Sequence, residues 1–181
     1  MARSFVWVGV LSGMESDHEE RSFNTLRGAV TGDEPDEPIY FAHSASLRIF
    51  GCNPSFRPYD AADDALVRLD MTEIESHLGV EATTCFRRGE PRRYGPARRW
   101  DGWFYTPLLA EDRPLEDHIE SLWTAIRPGR DYLRALKKTV LVDVFLGYRS
   151  NCDHAGIEIP HTSLEMFTEL EISFGISIVV T

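Results

Sequence analysis

The chain has 181 residues, 43% of them hydrophobic, and a formal net charge of −10. That length is enough for one domain, or one domain with an extension, and it can bury a sizeable core without disulfide or metal support. The acidic balance disfavours nucleic-acid or anionic-membrane binding by the surface as a whole, and no apolar run approaches the roughly 18 residues that a membrane-spanning helix needs.

The cysteines favour a reducing compartment. Cys52, Cys85 and Cys152 are few, odd in number and far apart in the sequence, which argues against a disulfide framework. The N-terminal apolar run is short for a signal peptide, and no small-residue cleavage site follows it. We therefore expect a cytoplasmic protein.

Residues 1–43 are expected to form an extension made of one strand and an acidic linker. Residues 5–11 read FVWVGVL, and a short run that is apolar on both faces is typical of a buried strand. Residues 32–38 carry two prolines and four acidic residues, which predicts a loop or linker. Met14 is an alternative start, so it stays open whether residues 1–13 belong to the native chain.

The main domain is expected to be a single unit over residues 44–181, entered through a strand at residues 39–50. Alternate positions in this strand carry two different sets of side chains, which fits a strand with one face inward. The inward set is Ala45, Leu47 and Ile49, and the opposite set is Ser46, Arg48 and Phe50. A loop with two prolines follows at residues 51–59.

A short capped helix is predicted at residues 70–78. Asp70 suits the N-cap, and Glu73 stands three residues later in the position of a capping box. Gly79 suits a left-handed C-cap. Residues 80–86 then leave the helix in an extended form.

Residues 87–99 are predicted to be a loop, because they contain two glycines and two prolines. We call this segment the arginine loop. Its six arginines and Glu90 give a charge of +5, which leaves −15 for the rest of the chain. An aromatic strand with Trp100 and Trp103 is predicted at residues 100–105.

The second half of the chain mixes helices and strands. A helix is predicted from Pro114, since apolar residues recur at helical spacing and acids stand in its first turn. The remaining predictions are a helix at 130–138, a strand at 139–146, a loop at 151–160, a helix opening at Thr162 with Glu165 in a capping-box position, and a strand at 172–180. This order lacks a strict strand–helix–strand rhythm. It predicts an α+β fold: a mostly antiparallel sheet with helices packed mainly on one face.

The order of several short motifs resembles a known family. These motifs are SLRIFG at 46–51, LGV at 78–80, RGE at 88–90, PLEDHI at 114–119, and the final helix and strand. Over roughly residues 44–181 the chain is similar to the bacterial domain of unknown function numbered 4279. The resemblance implies a small bacterial α+β domain, and it implies no catalytic residue.

The arginine loop and the tryptophans beside it are the main candidate binding surface. Guanidinium groups bind carboxylate and phosphate bidentately, and aromatic rings stack on bases or other rings. The alternative is a solvated loop whose arginines pair with the chain's own acids. The candidate anion- or partner-binding residues are Arg87, Arg88, Arg92, Arg93, Arg98, Arg99, Trp100 and Trp103.

Other chemistry-bearing residues give weaker signals. Cys152, His154 and His161 are metal-ligand types, but their spacing matches no zinc motif. Asp143 stands among valines in a predicted strand, where a buried carboxylate needs a partner such as an arginine. No nucleophile-elbow, phosphate-loop, metalloprotease or dinucleotide motif is present. We therefore predict no metal, no cofactor and no catalytic residue.

Two functions stay open, and we favour the first. It is a non-enzymatic protein-interaction module that binds an acidic or mixed protein surface, for example as an immunity protein that neutralises a toxin. The second is an enzyme or binding protein for an anionic small molecule, with the arginines as a clamp. Arginines that converge on a concave pocket would favour the clamp, and arginines splayed along a convex edge would exclude it.

Overall fold

A computed structural model describes residues 38–54, 66–152 and 156–180 of the chain. The strand predicted at residues 5–11 lies outside the described residues, and so does most of the acidic linker. The division of the chain into an extension up to residue 43 and a domain from residue 44 stays a prediction.

The described residues form five strands and four α-helices. The strands are β1 Phe41–Phe50, β2 Thr84–Phe86, β3 Gly102–Tyr105, β4 Leu141–Ser150 and β5 Ser173–Val180. The helices are α1 Met71–Leu78, α2 Leu115–Ile126, α3 Arg130–Leu136 and α4 Glu165–Leu170, with short 3-10 turns at Arg127–Gly129 and His161–Leu164.

The strands make one sheet in the order β2-β3-β1-β4-β5. β1 pairs antiparallel with both β3 and β4, and β2 pairs antiparallel with β3. Only β4 and β5 are parallel, because the connection that contains α4 carries the chain back to the starting end of the sheet. The predicted α+β fold with a mostly antiparallel sheet is confirmed.

The core lies between one face of the sheet and the helices. Ala45, Leu47 and Ile49 are completely buried, as their alternation predicts. They belong to one continuous apolar cluster with the buried stripe of α2, which includes Ile119 and Leu122. The long antiparallel pairing of β1 with β4 holds this buried face in register.

The capped helix α1 forms as predicted. The Asp70 carboxylate accepts a hydrogen bond from the Glu73 N–H at 3.0 Å. Gly79 has a φ of 70°, which is the left-handed conformation expected at this C-cap. The two turns of α1 bury Ile74 and Leu78 against the core, and this packing stabilises a helix too short to persist alone.

The predicted end of β4 and the predicted start of the last helix differ from the structure. β4 continues to Ser150 rather than ending at residue 146, since it pairs with β1 along its whole length. At the last helix, a 3-10 turn precedes α4, and no side chain caps either element. The expected capping box of Thr162 and Glu165 is therefore not formed.

Gly102 gives a test of how β3 supports the rest of the fold. Its register partners are Phe50 and Phe86, and an added Cβ would overlap the Phe86 ring. We expect Gly102→Ala to lower the free energy of unfolding by about 1–3 kcal/mol, as overpacking does in well-packed sites. Urea unfolding followed by circular dichroism measures the change. The control is Gly156→Ala, where an added Cβ meets no atom within 4 Å, and equal effects of the two variants would contradict this account.

Candidate functional site

The arginine loop joins β2 to β3 and closes on itself near its base. The Gly89 N–H donates to the Arg98 carbonyl at 2.8 Å, and the Arg98 N–H donates to the Glu90 carbonyl at 2.9 Å. Residues 91–97 project beyond these bonds, and every one of them is exposed. We call residues 91–97 the tip of the arginine loop.

Asp101 holds the base of the loop, a role that no local sequence pattern indicates. One carboxylate oxygen accepts the Arg88 N–H at 2.8 Å. The other accepts the Leu69 N–H at 3.1 Å and the Arg87 Nη1 at 2.8 Å. The Asp101 carbonyl also accepts the Gly51 N–H at 2.9 Å. Asp101 therefore connects the start of β3 by hydrogen bonds to three other segments: the end of β1, the approach to α1 and the end of β2.

The environment of Asp101 favours its charged form. Burial raises the pKa of this carboxyl, but the N–H donors of Arg88 and Leu69 and the Arg87 guanidinium together lower the pKa below its usual range. Since folding depresses this pKa, the charged carboxylate stabilises the fold at pH values above the unfolded pKa of about 4. That stabilisation is lost as the pH falls through the folded value.

The six arginines of the loop divide into two groups. Arg87 is engaged at the base, where it bonds Asp101 and also donates to the Leu69 carbonyl at 2.6 Å. The Arg98 guanidinium lies 4.0 Å from the centre of the Phe86 ring, which is a cation–π geometry. The side chains of the other four are exposed, and these are Arg88, Arg92, Arg93 and Arg99.

The two tryptophans of the candidate surface have different environments. Trp103 is completely buried in the core between the sheet and the helices. It is therefore not available to stack on a ligand, contrary to its inclusion in the predicted surface. Trp100 is half-buried and makes an edge contact with Phe50. The exposed aromatic ring of the loop is instead Tyr94, at 78% exposure.

Asp143 pairs with an arginine, but not with one from the arginine loop. Its carboxylate accepts two hydrogen bonds from Arg48 on the neighbouring strand, both at 2.7 Å. The Arg48 guanidinium also lies 4.4 Å from the centre of the Phe145 ring. This pair lies on the sheet face opposite the helices, and its complete bidentate geometry indicates a structural role.

The arginine loop does not line either of two surface cavities. One, of about 460 Å³, lies between α3 and α4, and the other, of about 320 Å³, lies at the end of α2. In the first, Arg134 pairs with Glu169 and Lys137 pairs with Glu171. The cationic and acidic side chains that line this cavity are equal in number, so it does not offer an uncompensated cationic site.

The comparisons with known proteins identify the family. A family model described as "Domain of unknown function (DUF4279)" matches residues 41–181. The chain belongs to the DUF4279 family. No curated protein and no solved structure matches the chain. The predicted resemblance is thus confirmed, and the comparisons name no activity for this DUF4279 domain.

The candidate metal ligands are only partly within the described chain. His154 lies outside it. Cys152 is half-buried just after β4, and His161 is exposed at the turn before α4. Among the described residues, no three histidine, cysteine or acidic side chains are grouped for metal binding, and none of the three cysteines forms a disulfide.

No helix in the described part of the DUF4279 domain is long and apolar enough to cross a membrane.

A polar cluster at one end of the core was missed in the sequence. His43 and Tyr148 are cross-strand partners with ring centres 5.4 Å apart, and the His118 ring of α2 lies 6.5 Å from His43. His118 is 2% exposed, and within the described chain neither ring nitrogen has a partner of good hydrogen-bond geometry. Helical spacing is the sequence feature that could have indicated the burial of His118, since this residue stands three positions after Leu115 on the apolar stripe of α2.

Asp101→Asn tests the base of the arginine loop. The amide would keep one acceptor oxygen but place an NH₂ group against donors, and it would leave Arg87 without its charge partner. We expect the free energy of unfolding to fall by about 2–4 kcal/mol. The control is Asp131→Asn, whose side chain is 81% exposed and whose effect should stay within about 0.5 kcal/mol. Equal urea midpoints for the two variants would rule out the proposed role of Asp101.

His118 predicts a pH dependence of stability. Burial lowers the pKa of His118 most, and the charge of the facing His43 lowers it further. The Ala110 carbonyl, Asp117 and Glu111 raise this pKa, but their effects are weaker. Because the folded pKa is depressed, the neutral imidazole stabilises the fold above the unfolded pKa of about 6.5, and this stabilisation declines as the pH falls below it.

The measurement is urea unfolding at a series of pH values. Between about pH 7.5 and 5.5 the wild type should lose more unfolding free energy than His118→Gln, which has no titrating ring. The contribution of Asp101 changes only below about pH 4, since its folded pKa is lowered. Parallel pH profiles for the two proteins would show that His118 does not couple to folding.

Proposed function

We propose that this DUF4279 domain is a non-enzymatic protein-interaction module that binds an acidic or mixed protein surface through the arginine loop. The observation that carries the proposal is the exposed cationic tip on a protein of net charge −10. Arg92 and Arg93 stand at this tip, and residues 91–97 contain no acidic residue. We place its action in the bacterial cytoplasm, as the family resemblance and the cysteine content suggest.

The anchored base makes the tip suitable for recognition. Arg87, Arg88 and Asp101 hold the two ends of the loop together. The tip therefore starts from a restricted set of conformations, which lowers the entropy cost of ordering it on a partner. Arginine and tyrosine are among the residue types enriched at the energetic centres of protein interfaces, and the exposed Tyr94 directly follows Arg92 and Arg93 at the tip.

The exposure of the arginines supports a protein partner over a small anion. A clamp for a small molecule needs cationic groups that converge on a concave pocket. Here Arg92 and Arg93 project on the exposed tip, and the two cavities described above are lined by other residues. The carboxyl with a lowered pKa in this region, Asp101, is fully engaged in holding the loop.

An immunity protein is a more specific version of this proposal. The arginine loop would suit an acidic patch on a toxin, whereas the acidic remainder of the surface would suit a basic one. The charge dependence of binding distinguishes these two orientations, because only the first requires the arginines of the tip.

The test is quantitative affinity capture from lysate of the native host with the wild-type domain and with an Arg92→Glu, Arg93→Glu variant. We expect a captured protein to bind the variant about tenfold more weakly or worse, since like charges then face each other across the contact. Binding to the wild type should also weaken as salt is raised, because exposed charges are screened. Nuclease treatment of the lysate checks that no nucleic acid bridges the two proteins.

The matched control is Arg127→Glu, Lys138→Glu, which changes the charge by the same amount at exposed positions outside the loop. A partner retained equally by the loop variant and the control would rule out the arginine loop as the binding surface. If no protein is captured, but pyrophosphate raises the melting temperature of the wild type and not of the loop variant, the arginine clamp would be the correct function instead.

A further inference from the structure

β5 is an edge strand that lacks the usual protection against pairing. No strand of the described chain lies on its outer side. Its sequence, SFGISIVV, contains no charged residue and no proline. Natural edge strands commonly carry such residues, because an open apolar edge recruits another strand.

Beside this edge the sheet presents an uncovered apolar surface. The register places Phe41, Ser150 and Val180 in one row across β1, β4 and β5, and Ile178 stands beside Tyr148 in the next row. Phe41, Ile178 and Val180 are 41%, 52% and 49% exposed. These three side chains are on the helix side of the sheet, but the helices do not cover them. We call them the β5 shelf.

The chain enters the described structure at this same end of the sheet. Asn151, directly after β4, receives the N–H of Tyr40 at 3.1 Å and donates to the Pro38 carbonyl at 3.3 Å. These bonds fix the point at which the preceding 37 residues join the sheet. That segment therefore joins the fold beside the β5 shelf.

We propose that residues 5–11, FVWVGVL, bind the β5 shelf and pair with the outer edge of β5. This run is uncharged and apolar, so it matches both the side chains of the shelf and the main-chain groups of the edge.

Chain length favours this occupant over a second copy of the protein. Twenty-six residues separate Leu11 from Pro38, and a linker of that length has a root-mean-square span of about 30 Å. β5 is two strand spacings from β1, about 10 Å. The tether therefore reaches the shelf easily and gives the run an effective concentration in the millimolar range.

The experiment is hydrogen exchange with mass spectrometry on the full chain, comparing the wild type with a Trp7→Asp, Val8→Asp variant. The two substitutions place a charge on each face of the run. In the variant, about half of the amides in peptides covering residues 173–180 should exchange about tenfold faster or more, because amides on the outer side of β5 are protected only by pairing with the run. The amides that bond to β4 should keep their protection. Peptides from β1 should not change. In the reciprocal variant, Ile178→Asp, peptides covering residues 5–11 should lose protection.

The matched control is Ser22→Asp, Thr25→Asp, which adds the same charge outside the run and should leave β5 exchange unchanged. The wild type should be monomeric, with protection that does not depend on dilution. Protection that disappears on dilution of a dimer would assign the edge to a second copy, and unchanged β5 exchange in the Trp7→Asp, Val8→Asp variant would show that the run does not bind there. Either result would overturn the inference and leave the arginine-loop proposal unaffected.

Discussion

The buried Asp101 carboxylate is the interaction on which the candidate surface depends. A charge at 7% side-chain exposure is stable only when nearby donors replace the water it has lost. Arg88 and Leu69 supply N–H groups, and Arg87 supplies the counter-charge. Since these donors come from separate segments, one carboxylate couples the base of the arginine loop to the approach of α1, and the Asp101 main-chain carbonyl adds the end of β1 by accepting the Gly51 N–H.

This arrangement separates a structural part of the arginine loop from an exposed part. Arg87 and Arg98 stabilise the base through an ion pair and a ring contact. Arg92 and Arg93 remain at the tip, where a chain of strongly negative net charge displays a local positive surface. A cationic partner would be attracted at long range by the acidic remainder of the surface. An acidic partner would instead contact the tip of the arginine loop. The two kinds of partner would therefore use different regions of the surface.

Local patterns predicted much of the fold and part of the site. Three predictions depend only on residues within about ten positions of one another, and all three are confirmed. They are the caps of α1, the helical spacing of α2, and the loop indicated by the glycines and prolines of residues 87–99. The predicted surface included one residue, Trp103, that the fold buries. Trp100 and Trp103 both stand in an aromatic segment, yet only Trp103 is completely buried, since strand alternation and the register with β1 direct its ring into the core.

The sequence by itself determined the α+β class, the short-range caps and turns, and the concentration of positive charge at residues 87–99, because each depends on residues that are close in the chain. Tertiary structure alone decided that Asp101 anchors the loop, that Arg48 pairs with Asp143, and that His118 is buried beside His43. These contacts join segments far apart in sequence, and their partners are selected by strand register and burial. No local pattern contains that information, so only the packed fold shows which arginines hold the structure and which remain available at the tip.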